Sequence, residues 1–391
     1  MAASIAFDQT ALAVDRAERT AIPWYIWLSV IGVTSAMIGG HWDISWHRSI
    51  GRDTFWTAPH LAIQLCGIIA GITCGYLILA TTFGNSSLRA ASVGVLGFRA
   101  PIGAFITAWG GFTMIVSAPF DDWWHSAYGL DVKILSPPHV VLAIGMFGVE
   151  IGTLVLVASL MNRASGARRR MLLALFLYVA AMILVAAFTI IMEYTGRVML
   201  HSAASYRAVC LLAPITIAMA PRATGDRWAA TKLTGIYTVF LLALEWILPL
   251  FPAQPKLGPV LREVTHLIPN GFPLLVIVPA FVLDLIRPRI DRLPNWQHAL
   301  IAGTVFFAIF LAAQWPFATF LNSPAAANAF FGSGYLEYFI SPQSNQALYR
   351  FVQFEKTPAA FRNGLLIALA CAIGASWIGL ARGDWLRRVR R

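Results

Sequence analysis

The sequence predicts an all-α protein, a polytopic transmembrane helical bundle of about ten helices. Three observations carry that prediction. Hydrophobic residues fill 58% of the 391 positions and charged residues only 12%, about half the ~25% charge of a soluble domain. The apolar positions fall in continuous runs of about 20 residues, long enough to cross a bilayer, and they do not alternate as barrel strands do. The 29 Lys and Arg residues gather in short blocks between those runs, as they do in cytoplasmic loops.

Residues 1–23 are polar and mixed, with Asp15, Arg16, Glu18 and Arg19 close to the first run. They lack the basic start, short apolar core and small-residue cleavage site of a signal peptide, and read as a cytoplasmic N-terminal tail. Spanning helices are expected near 24–42, 58–82, 100–120, 139–162, 171–192, 205–221, 231–251, 267–286, 298–321 and 363–381. The linker holding Arg163, Arg168, Arg169 and Arg170 is the clearest cytoplasmic anchor. Alternating outward from it puts both termini inside, together with Arg222, Arg227, Lys232, Arg287, Arg289, Arg292 and the C-terminal arginines. Seven of the eight histidines then fall on the outer face, with only His298 inside. The chain divides into the tail (1–23), a repeat-containing group of four helices (24–162) and further helices (163–391). The last group includes an outer-face loop near 322–362 that holds Tyr335, Tyr338 and Phe339. The expected setting is a bacterial-type inner membrane.

The net charge of +11 does not point to nucleic acid, because the arginines sit between apolar runs and no basic patch is interleaved with aromatics. It is a topology signal. Cys66, Cys74, Cys210 and Cys371 lie inside apolar runs and form no CxxC. Neither a zinc knuckle nor covalent haem attachment is therefore written here.

The chemistry is concentrated in one stretch: Asp43 and His47, then Asp53, then Pro59-His60. Residues four apart share one helix face, with Cβ atoms about 5–6 Å apart. The proline suits the first turn of a new helix. A helix end, a turn and a helix start therefore bring two imidazoles and a carboxylate together. The pattern recurs 78 residues later as Asp121, His125, Asp131 and Pro138-His139, with one extra residue before the last histidine. Such recurrence marks an internal repeat. The expected topology runs helices 1–2 and 3–4 in the same sense. The repeat is then parallel, and the two clusters lie side by side at equal depth on the extracytoplasmic side.

Imidazole and carboxylate together suit zinc, copper, iron and manganese, and the absence of thiolates argues against soft, closed, structural sites. Two histidines plus one carboxylate with open positions is the facial-triad arrangement of non-haem iron oxygenases, which Cu(II) also accepts. The metal ligands are assigned as Asp43, His47 and His60 at one site and Asp121, His125 and His139 at the other. Asp53 and Asp131 can orient a ligating imidazole or cap the next helix. Glu150 lies eleven residues beyond His139, about 16 Å deeper on the same helix. A carboxyl group in the hydrocarbon marks either a proton route or a neutral acid bonded to a neighbouring helix. Glu193 with His201, and Glu263 with His266, fit capping or interface anchoring better than a third metal site.

The spacing Asp-x3-His-x12-His at Asp43, His47 and His60 resembles the metal site in the C subunit of the copper membrane monooxygenases, the particulate methane and ammonia monooxygenases. The second cluster is similar to a later site of that subunit, which in the family begins with asparagine where this chain has Asp121. The extra negative charge bears on which metal is held and in which oxidation state. The resemblance covers roughly residues 24–155. Beyond it the chain has about five or six additional helices, and it has no soluble cupredoxin-like domain, which in the family belongs to another subunit. The resemblance implies copper as first choice, with iron second, and O2-dependent oxidation of a small apolar substrate drawn from the bilayer. It also implies a cupredoxin-like or other membrane subunit as partner. The competing reading is a copper-binding, assembly or metal-handling membrane protein without turnover. Neither a CPC pair nor a ladder of Met-x3-Met motifs, which would support metal transfer, is present. Haem ligation by paired histidines leaves the aspartate four residues earlier without a role.

Overall fold

The apolar runs form helices, and polar or proline-rich stretches end them. The computed structural model describes residues 21–51, 55–84, 87–129, 136–196, 199–256, 264–332 and 355–391. Among these are eleven α-helices, eight of them long and apolar enough to cross a membrane. They carry large exposed apolar side chains such as Ile72, Leu79, Phe112, Ile144 and Leu366, as surfaces facing lipid do.

The first four helices are α1 (Trp24–Ser49), α2 (Ala58–Phe83), α3 (Ile102–Tyr128) and α4 (Pro137–Met161), packed in sequence order. Helices α1 and α3 run several residues past the expected ends at 42 and 120, so each histidine cluster begins on the last turns of a helix. The first of these is long but is not among the eight most apolar. Helices α3 and α4 approach to backbone contact. A Cβ on Gly110 would strike the Val149 nitrogen and the Gly145 carbonyl, and the opposite face of α3 meets α2 through Gly111 and Gly67. Small residues allow such approach where apolar burial gives helices in lipid little reason to associate.

Further along lie α5 (Gly166–Ile190), a single turn α6 (Met192–Thr195), α7 (Ala203–Thr224) and α8 (Ala229–Ile247). Helices α9 (Ile277–Ile290), α10 (Asn295–Leu321) and α11 (Pro358–Leu386) complete the set. The closest pairing in this half is α7 with α11. One continuous apolar core runs through both halves, from Ile22 to Val389.

Two expectations are corrected. The expected span at 267–286 is not a helix over its first ten residues: α9 begins at Ile277 and has 14 residues, about 21 Å, too short for a ~30 Å hydrocarbon core. Pro269 and Pro273 cannot donate to a helical ladder, and Gly271 sits at φ 121°, so the backbone there stays irregular. The chain is also not wholly α. Val93–Val95 and Phe98–Ala100 form an antiparallel hairpin. Its two-residue turn, Leu96 and Gly97, takes positive φ at both positions, as the tightest hairpin turns require. The tail up to residue 20 and residues 333–354 of the expected outer loop lie outside the described residues.

Candidate metal centres

Two groups of ligand atoms converge, and they are the two triads read from the sequence. Asp43, His47 and His60 place one ligand atom each within 4.8 Å of one another, and Asp121, His125 and His139 do the same. Among the described residues these are the two groups that do so.

The first centre is built by α1 and α2. Asp43 and His47 project from the last turns of α1, and the Asp43 Oδ1 to His47 Nε2 distance is 3.5 Å. Helix α2 starts after Thr57 in an extended conformation, with Pro59 in its first turn. That start brings His60 Nε2 to 3.1 Å from the same Oδ1. The other ring nitrogen of His60, Nδ1, is 2.8 Å from the Phe55 carbonyl oxygen. A proton on Nδ1 donates to that carbonyl and leaves Nε2 as the free lone pair, the arrangement that fixes a metal-ligating tautomer.

The second centre repeats these parts on α3 and α4. Asp121 Oδ1 is 3.4 Å from His125 Nε2 and 3.6 Å from His139 Nε2. His125 Nδ1 is 3.2 Å from the Gly129 carbonyl oxygen, and α4 starts after an extended Ser136 with two prolines ahead of His139.

Metal fits these atoms. Oδ1 of Asp43 and Oδ1 of Asp121 are both buried, and each faces two imidazole nitrogens at 3.1–3.6 Å. Ligands about 2.0–2.2 Å from one metal at tetrahedral or octahedral angles lie about 2.8–3.6 Å apart, and the four aspartate-to-imidazole distances fall in that range. Each triad supplies three protein ligands and leaves further positions for water or substrate.

Of the remaining sequence candidates, Asp53, Asp131 and Glu263 lie outside the described residues. Glu150 is fully buried in α4, with neither carboxyl oxygen hydrogen-bonded. Glu193 is exposed, while buried His201 pairs its Nε2 with Thr319 Oγ1 at 3.0 Å and packs on the Trp315 ring. No metal group forms from these two.

Sequence reasoning missed what braces the first centre. The irregular segment 267–270 lies along the end of α1 and is tied to it on several atoms. Ser45 Oγ donates to the Ile268 carbonyl at 2.6 Å, and the Ile268 N–H donates to Ser49 Oγ at 2.7 Å. Asn270 Nδ2 donates to His41 Nδ1 at 2.9 Å and to the His41 carbonyl at 2.8 Å. The other nitrogen of His41, Nε2, pairs with Thr189 Oγ1 at 3.2 Å. His41 is therefore a strut and not a ligand. The Arg48 guanidinium donates to the Asn270 carbonyl at 3.3 Å. The only hints in the sequence were Ser45, Ser49 and His41 at helical spacing and the proline pair at 269 and 273.

Fold and site define a class: a helical, membrane-spanning protein with two Asp/His/His groups able to hold metal ions. No family model, curated protein or solved structure matches the chain.

Proposed function

We propose that this chain is a membrane metalloprotein that holds one metal ion in each triad, copper first and iron second. Its reaction class would be O2-dependent oxidation of a small apolar substrate, as the resemblance to the C subunit of the copper membrane monooxygenases implies. One observation carries the metal reading. In both centres a buried aspartate Oδ1 and two imidazole Nε2 atoms converge, with aspartate-to-imidazole distances of 3.1–3.6 Å. In this proposal α1–α2 and α3–α4 form a parallel repeat, both termini are cytoplasmic and the centres face the extracytoplasmic side of a bacterial-type inner membrane. A cupredoxin-like or other membrane subunit would pass electrons.

Bound metal would supply the one-electron chemistry with O2 that no side chain here can provide. The chain's own residues do the rest. The Phe55 and Gly129 carbonyls hold His60 and His125 with Nε2 inward, and the aspartates offset the cation charge. Glu150, enclosed below the second centre, holds a proton and extends a path toward it.

Metal content and EPR of the protein in nanodiscs test this, beside His47→Ala and His125→Ala. Two coppers per chain, one lost in each variant, with nitrogen-coupled Cu(II) signals, are the expected result. Iron in both centres moves the assignment to the second-choice metal. Copper bound without substrate-dependent O2 uptake supports the metal-handling reading instead. A metal-free protein from copper-replete membranes refutes the proposal.

A further inference from the structure

Beside the first centre lies a chamber of about 660 Å³, within the ~300–1,000 Å³ range of small-molecule sites. It is walled by the end of α1, the outer ends of α5 and α8, and the irregular segment 268–274. Irregular backbone at membrane depth occurs where it is buried in protein or lines a cavity, and here it does the second. Most of the wall is apolar, as at Phe188, Leu241 and Leu274.

The polar part of the wall includes residues whose buried acceptors lack a donor. Glu245 is 2% exposed, and its Oε2 accepts the Gly271 N–H at 3.0 Å. Its Oε1 accepts no hydrogen bond. Gly332, at φ 71°, lies so close to that oxygen that a Cβ would collide with it. Asn270 spends Nδ2 on His41, and its Oδ1 is buried with no donor. A buried acceptor without a donor is destabilising, and here two of them belong to residues that line one chamber. Arg48 on the same wall spends donors on the Pro269 and Asn270 carbonyls, so the lining does not select an anion. His47 also lines the chamber, and its Nδ1 is buried without a partner. None of Asp121, His125 and His139 is among the described lining residues.

We propose that this chamber binds a small amphiphile. Its apolar body lies on Phe188, Leu241 and Leu274, and a hydrogen-bond-donating head, hydroxyl or amine, meets Glu245 Oε1 and Asn270 Oδ1. The bound molecule reaches the chamber side of His47, which makes the two centres unequal: the first opens to a ligand site and the second does not share it. Binding in the chamber does not depend on metal at either centre. A role as the substrate chamber of the first centre does rest on the function proposed above.

The test uses full-length protein in nanodiscs after chelator treatment, photolabelled with a diazirine-bearing octanol and its amine counterpart, with labelled peptides mapped by mass spectrometry. Label is expected on peptides spanning 237–248 and 268–276. 1-Hexanol and hexylamine should compete, while hexane and hexanoate compete about tenfold less well or worse, the scale of a lost hydrogen bond to a charged acceptor. Leu241→Trp fills the chamber and should remove the label. Glu245→Gln keeps an acceptor and drops the charge. Loss of amine competition with alcohol competition kept identifies an amine as the better head, and equal retention identifies a hydroxyl. Label confined to lipid-facing residues, or hexane competing as well as hexanol in the unmodified protein, overturns the proposal without any variant needing to fold. Metal content is measured on the same preparation before chelation, so a missing metal and a missing ligand site are told apart.

Discussion

The brace on the first centre gives the sharpest prediction, because it hangs on a few atoms. Ser49→Ala removes the Oγ that accepts the Ile268 N–H at 2.7 Å and that donates to the Ser45 carbonyl at 2.7 Å. The Ser45 carbonyl retains its place in the α1 ladder, but the Ile268 N–H is left buried without an acceptor. That orphan costs about 1–3 kcal/mol, which corresponds to roughly a 5- to 150-fold change in an opening equilibrium. Hydrogen–deuterium exchange should therefore speed up by that factor at the Ile268 amide, with smaller effects through 267–270. Metal affinity should fall at the first centre and hold at the second, because Asp43 and His47 sit on the end of α1 that the segment braces. Thr113→Ala is the control, since it deletes a helix-internal bond to the Trp109 carbonyl on an exposed face. If Ser49→Ala exchanges like the control, or weakens both centres equally, segment 267–270 does not brace α1 and the reasoning fails.

Gly110→Ala should lower stability by about 1–3 kcal/mol, the cost of overpacking, because its Cβ meets the Val149 nitrogen and the Gly145 carbonyl. Gly75→Ala, with open space around its Cβ, should stay within about 0.5 kcal/mol of the parent in the same denaturation series. Acidification should release metal from both centres. Each would be held by two imidazoles that must be unprotonated to ligate, so occupancy falls as acid competes with the metal for them. Full occupancy at pH 4 would show that the histidines are not the ligands.

The spans and the site were legible to different depths for physical reasons. The position of most helices follows from apolar run length alone, which is why the expected spans at 58–82 and 139–162 match α2 and α4 within a few residues. Run length misread 267–286, because hydropathy counts Leu267, Ile268 and Leu274 as membrane-like and ignores that Pro269 and Pro273 cannot sustain a helical ladder. The hairpin at 93–100 was too short to leave a periodic trace.

By itself the sequence determined the two triads. Asp43 with His47, and Asp121 with His125, are helix neighbours four apart, and a proline-led helix start returns His60 and His139 to them. Those relations are local, and backbone geometry settles them wherever the helices end up. Only the tertiary structure decided that His41 is a strut, that Ser45 and Ser49 bond a segment about 220 residues away, and that Glu245 and Asn270 share a chamber with His47. Such contacts carry no sequence period. They exist because buried backbone groups of a broken helix must find partners, and the nearest available ones belonged to α1.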